Sequence, residues 1–306
     1  MFRFVGGRRE GDTLYLDRDK GVFLQFKEAK GIADVNWLNA QLSSGKAEVV
    51  SATSFLRGYQ GGMLQVIGDY VVFPQRGFDA PSSPGKLDVC AGRTTPEDRS
   101  AWRDLVIREG LEEIVSFDGN SLVVPELDEY PAIGDVILGE AEKAGLNTSK
   151  TSKAQVEVYW PKKNRIVVRE DGNVLEDFEA SYVILPELSS VEVLGIVKIA
   201  IPGKFIPYDT ETFMNGGTVT PVNRNIFVVN YKTGETTIYS RGTQTYSGTL
   251  TGALTHTKTK IEAFLKRPVS SEDIVSPKLR FVVENWPVES LGNAEGLNPL
   301  NYFRDD

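Results

Sequence analysis

The chain has 306 residues, 41% of them hydrophobic and 25% charged, which is a globular composition and enough length for one decorated domain or two ordinary ones. Its formal net charge of −8 opposes the phosphate backbone, so bulk nucleic-acid binding is not expected. No window approaches about 18 consecutive apolar residues and the first ten lack the apolar run of a signal peptide, so neither a membrane span nor secretion is expected.

In chain order, residues 1–45 read as an N-terminal extension. Residues 13–17 and 22–26 alternate like strands, and residues 32–42 have helical spacing ended by Ser43-Ser44-Gly45-Lys46. A body from 46 to 265 follows. Residues 48–56, 63–67 and 70–74 are predicted strands, the last two joined at Gly68-Asp69, a strong hairpin signal. A loop rich in Gly, Pro and Ser leads through 76–86 to a short strand at 87–90. Thr95 then caps a helix with Pro96 at its first position and Glu97 and Asp98 in its first turn, running to about residue 114. Strand patterns return at 122–125, 156–160, 165–169, 182–185 and 191–200, and the polar stretch 139–153 reads as an exposed insertion. A hairpin turns at Lys232-Thr233-Gly234-Glu235, a helix is predicted over 251–267, and residues 266–306 read as a tail packed on the domain.

The helix ending near 114 carries the chemistry. At about 100° per residue, Trp102, Leu105 and Val106 form one stripe. Glu109 and Glu113 continue that stripe, and Glu112 lies at its edge, whereas carboxylates on a surface helix normally oppose the apolar face. Three like charges at this spacing repel by a few tenths of a kcal/mol per pair, and the helix dipole disfavours them at a C-terminus. A divalent cation reverses the sign of that arrangement, because Mg2+ and Mn2+ take oxygen ligands. The competing reading is a solvated acidic helix end partly compensated by Arg103 and Arg108.

Elimination narrows the chemistry further. His256 is the single histidine, so no two-histidine metal site forms within one chain, and no Gly-x-Ser-x-Gly elbow accompanies it. His256 reads as a surface or capping residue. Cys90 is the single cysteine; it excludes an internal disulfide, fits a reducing cytoplasm and reads as core packing. Catalysis, where present, rests on carboxylates and a hard metal. Tyr130, Trp160 and Tyr182 are either base-stacking or core aromatics.

With its flanks, this stretch resembles the Nudix hydrolase family, whose box is Gly-x5-Glu-x7-Arg-Glu-U-x-Glu-Glu-x-Gly-U with U bulky and aliphatic. Arg108-Glu109-Gly110-Leu111-Glu112-Glu113 matches the Arg-Glu-U-x-Glu-Glu core at all four charged positions. Upstream, Val71-Val72-Phe73-Pro74-Gln75-Arg76-Gly77 resembles the family strand that ends in an Arg-bearing loop. Pro84-Gly85-Lys86-Leu87-Asp88-Val89-Cys90-Ala91-Gly92 resembles the approach to the box. Three features depart from the pattern. Gly110 occupies the aliphatic position, Val115 stands for the closing glycine, and the spacing from Gly92 to Arg108 is longer, so Glu97 does not align with the first box glutamate.

The resemblance implies an α/β (α+β) Nudix-like fold, a mixed β-sheet sandwiched between helices, with N- and C-terminal extensions. It implies Mg2+ or Mn2+ held by Glu109, Glu112 and Glu113, with a backbone carbonyl near Gly92 approaching the metal and Arg108 orienting the carboxylates. Arg76 is a candidate for substrate phosphate, and Glu112 is the candidate general base within the box, beside Glu126, Glu129, Glu140 and Glu142 later. The implied function is hydrolysis of a diphosphate linkage in a nucleoside diphosphate derivative such as ADP-ribose or a nucleotide sugar, by a cytoplasmic homodimer. The alternative is a catalytically weak or inactive Nudix-fold module that binds a nucleotide and regulates.

Overall fold

The computed structural model describes residues 2–23, 59–78, 84–93, 106–107, 109–110, 113–118, 120–124, 139, 142, 145, 147–150, 155–185, 190–200, 205–209 and 224–300. The helix expected at 32–42 and the strand expected at 48–56 lie outside them. The fold class is the mixed α+β one expected, rich in mixed sheets with few helices. The chain divides into two compact units, residues 1–62, 91–106 and 160–195 forming the first and residues 63–90, 107–159 and 196–306 the second.

The first unit is built on a four-stranded sheet ordered β1 (Phe2–Glu10), β2 (Thr13–Phe23), β10 (Asn164–Glu170) and β11 (Asn173–Ala180). Residues 2–23, read from the sequence as part of an extension, therefore share a sheet with strands more than a hundred residues later. The β2–β10 pairing is parallel, with Ile166 opposite Leu14 and Val168 opposite Leu16, and all four side chains are buried on one face. That alternation is what a period-two strand buries when one face meets the core. The β10–β11 turn, Asp171-Gly172, has positive φ at both residues (52° and 79°), which matches strand twist in a two-residue hairpin.

In the second unit the strands β3 (Tyr59–Ile67, from Met63), β4 (Tyr70–Pro74), β15 (Asn225–Asn230), β16 (Glu235–Ser240) and β17 (Thr243–Thr249) run side by side. The β3–β4 hairpin turns at Gly68-Asp69 as its sequence predicts, with Gly68 at φ 60°. Phe73 and Phe227 face each other across β4 and β15 with stacked rings 5.6 Å apart. Both are fully buried and centre the core, an offset aromatic pair adding about 0.5–1.5 kcal/mol beyond its area. A smaller sheet is ordered β14 (Pro207–Asp209), β6 (Ile114–Phe117), β7 (Leu122–Val124) and β8 (Thr148–Lys150). β8 lies within the stretch 139–153.

Helix α1 (Leu250–Leu265) starts at Thr249, whose hydroxyl accepts from the Gly252 N–H at 3.2 Å, and buries Leu250, Ala253, Leu254, Thr257 and Ile261. His256 is on its exposed side. Beyond it come α2 (Ser271–Ile274), α3 (Pro277–Glu284), α4 (Val288–Leu291) and a 3-10 turn, Glu295–Leu300. Backbone bonds fasten this tail to Leu87. The Leu87 N–H donates to the Ile274 carbonyl at 2.7 Å, and the Ser276 N–H donates to the Leu87 carbonyl at 2.8 Å. Leu87 is thus a bridge residue between Gln75 and Val275, and the strand expected at 87–90 begins instead at Cys90, as β5 (Cys90–Arg93). Further on, Gly296 lies against the turn after β15, where a Cβ would stand 2.3 Å from the Gly234 nitrogen and 2.5 Å from the Asn230 carbonyl.

Candidate functional site

The chain is helical at residues 106, 107, 109, 110 and 113 and enters β6 at Ile114 without a connecting loop. Val106 and Ile107 are fully buried and hold this segment in the core. Glu109 and Glu113, four residues apart, therefore lie on one face, each only 7% exposed. Both departures from the box are buried here too: Gly110 in the helical segment and Val115 in β6. Arg108 and Glu112 lie outside the described residues.

A buried ion triad closes over Glu113. The antiparallel β14–β6 pairing places Asp209 opposite Ile114, beside the end of the helical segment. Arg224, immediately before β15, reaches both carboxylates. Its Nε and Nη2 donate to the two Asp209 oxygens at 2.8 and 2.6 Å, and its Nη1 donates to Glu113 Oε2 at 3.1 Å. Arg224 is 4% exposed and Asp209 is 7% exposed. Two parallel bonds to one carboxylate fix the plane of a guanidinium, so its third contact holds Glu113 in one orientation. Neither residue follows any periodic pattern in the sequence. What marks them in hindsight is charge at a strand end, a weak signal.

A second buried carboxylate, Asp88, organises the approach segment. Its Oδ1 accepts from the Ser276 hydroxyl at 2.6 Å and from the Val89 N–H at 2.9 Å. Its Oδ2 lies 3.3 Å from Lys278 Nζ and 3.5 Å from Arg76 Nη1. Ser276 in turn caps α3 by accepting from the Leu279 N–H at 3.1 Å. Arg76, the candidate phosphate contact, is thus drawn toward a carboxylate that is only 1% exposed. Gly92 lies in β5, outside the unit that holds the glutamates. Cys90 is buried and unoxidised. Tyr182 is also buried, which raises its hydroxyl above the usual phenol range. Trp160 is half-buried, Glu142 is exposed, and Tyr130, Glu126, Glu129 and Glu140 lie outside the described residues.

Among the described residues no group of three or more His, Cys, Asp or Glu is arranged to hold a metal ion. Two buried carboxylates one helical turn apart still suit a hard cation, because Mg2+ is commonly bound by one or two carboxylates with substrate phosphates completing its shell. The donor chemistry fits; the described part of the site is two carboxylates, not three.

No family model matches the chain, and no curated protein matches it. Among solved structures it is similar to a bifunctional NMN adenylyltransferase/ADP ribose pyrophosphatase from Francisella tularensis, at 10% identity and a TM-score of 0.27. That likeness covers 61% of this chain and 39% of the other. No helix of the described residues is long and apolar enough to cross a membrane.

Proposed function

We propose that this protein is a Nudix-type hydrolase that uses Mg2+ or Mn2+ to cleave a diphosphate linkage in a nucleoside diphosphate derivative. The observation that carries the reading is the placement of Glu109 and Glu113: buried, on one helical face, with Glu113 oriented by Arg224. Carboxylates are costly at that depth and at a helix C-terminus; Arg224 offsets part of that cost at Glu113, and a shared cation would offset more of it. Glu109, Glu112 and Glu113 would hold the ion, which would supply charge neutralisation at the diphosphate and a more acidic water for attack on phosphorus. Arg224 and Asp209 keep the carboxylate rigid, and Arg76 is the candidate contact for the substrate phosphate.

Incubation with ADP-ribose, NADH, nucleotide sugars, dinucleoside polyphosphates and nucleoside triphosphates, with either metal, tests the reading. Release of a nucleoside monophosphate that disappears in Glu112→Gln and Glu113→Gln is the expected result. No turnover across the panel sinks the hydrolase. The second reading, a binding module without turnover, is favoured by one observation: a guanidinium already neutralises Glu113 where an active site would offer that charge to metal. Nucleotide binding without product release selects it.

A further inference from the structure

Strand β3 meets the acidic helical end through Met63 and Gln65, two residues apart and therefore on one strand face. Both are fully buried. The Gln65 amide Nε2 donates to the carbonyls of Gly110 at 3.0 Å and Ile114 at 3.3 Å. A Cβ on Gly110 would lie 1.7 Å from Met63 Cε, 2.3 Å from its sulfur and 2.7 Å from its Cγ. Helix ends leave orphan carbonyls, and here the chain turns straight into β6, with no residues left to cap them. The strand supplies the donor instead.

We propose that Gln65 is a positioning residue of the carboxylate site, and that Met63 packed on Gly110 is the seat against which it works. The two carbonyls that Gln65 grips belong to the residues directly after Glu109 and directly after Glu113, so they fix the backbone from which both carboxylates project. The proposal rests on reading those carboxylates as a metal site. It also accounts for Gly110. The bulky aliphatic residue of the Nudix pattern is absent because Met63 brings that bulk from the strand. One further observation separates positioning from simple packing. Among the described residues, buried Gln65 Oε1 meets no hydrogen-bond partner, a cost that leucine or methionine at 65 would not carry. The amide is held there for geometry, against local stability.

Gln65→Leu and Gln65→Met in the full chain test this with two readouts, so that a failure of one variant to fold leaves the other. Hydrogen exchange at the amides of Glu113 to Ser116 should speed by roughly 10-fold, because two buried carbonyls lose their donor. Mn2+ affinity, titrated by electron paramagnetic resonance without substrate, should weaken about 10–100-fold. Unchanged exchange overturns the seat. Faster exchange with unchanged Mn2+ affinity overturns the positioning role. If the unsubstituted chain binds no Mn2+, the hydrolase reading fails, and the exchange result still decides what Gln65 does.

Discussion

Arg224 bears the heaviest electrostatic burden in the second unit, and removing it gives the sharpest test of the site. In Arg224→Met, three hydrogen bonds of 2.6–3.1 Å vanish and two carboxylates, each 7% exposed, lose their cation. Breaking a buried pair from one side costs about 3–5 kcal/mol, because the orphaned charge remains desolvated. At about 2–4 °C per kcal/mol for a chain of this size class, the melting temperature should fall by roughly 10 °C. Urea denaturation followed by circular dichroism measures the loss. A triple variant, Arg224→Met with Asp209→Asn and Glu113→Gln, carries no charge at the triad positions and should recover at least half of it, since neutral replacement of a whole buried triad is often harmless. A loss under about 1 kcal/mol in the single variant, or a triple variant no more stable than the single, refutes the reasoning.

Further outcomes follow from the packing and from one shifted carboxyl. Gly110→Ala should destabilise by about 1–3 kcal/mol despite alanine's better helix propensity, and adding Met63→Ala should return part of that loss; additive effects in thermal melts would show that the two do not touch. Gly296→Ala forces a methyl against backbone atoms of the β15–β16 turn and should cost about 1–3 kcal/mol, with faster hydrogen exchange at residues 230–234 as its local signature. The Arg267 guanidinium, aided by the Ser270 N–H and against partial desolvation that pushes the other way, holds the Asp273 carboxyl down at about 2. Its folded value is below its unfolded one, so its stabilisation is present above about pH 4 and is lost as pH falls toward 2. The gap in melting temperature between the parent and Asp273→Asn should therefore be open at pH 6 and closed near pH 2; a constant gap contradicts it.

Much of the fold was legible where local chemistry and pairing agree. Gly68-Asp69 between two apolar runs gave its hairpin, and the turn Lys232-Thr233-Gly234-Glu235 gave the β15–β16 hairpin. β11 was missed because its sequence, Asn-Val-Leu-Glu-Asp-Phe-Glu-Ala, is acidic and largely exposed, although Asp171-Gly172 ahead of it is a hairpin signal that could have found it. β6 was absorbed into the preceding helix because Ile114-Val115 continues an apolar pattern of either period. At the site, the acidic end was visible because charge there breaks a stripe. Arg224 and Asp209 were not, since they reach Glu113 across 111 residues and through the register of β14. Gly110 read as a departure from a pattern until Met63 supplied the missing volume, and no single-chain spacing connects those two positions.

The clasp at Leu87 and Asp88 sets an order on synthesis. These residues stand just ahead of the acidic segment, yet their backbone and carboxylate partners are Ile274, Ser276 and Lys278. While the ribosome is still extending the chain, that stretch can pair with Gln75 but cannot complete its other side. The approach to the glutamates is therefore completed only after residues 274–278 have been made, and a chain stalled or cut before residue 274 carries every glutamate of the site without the clasp that holds their approach in place.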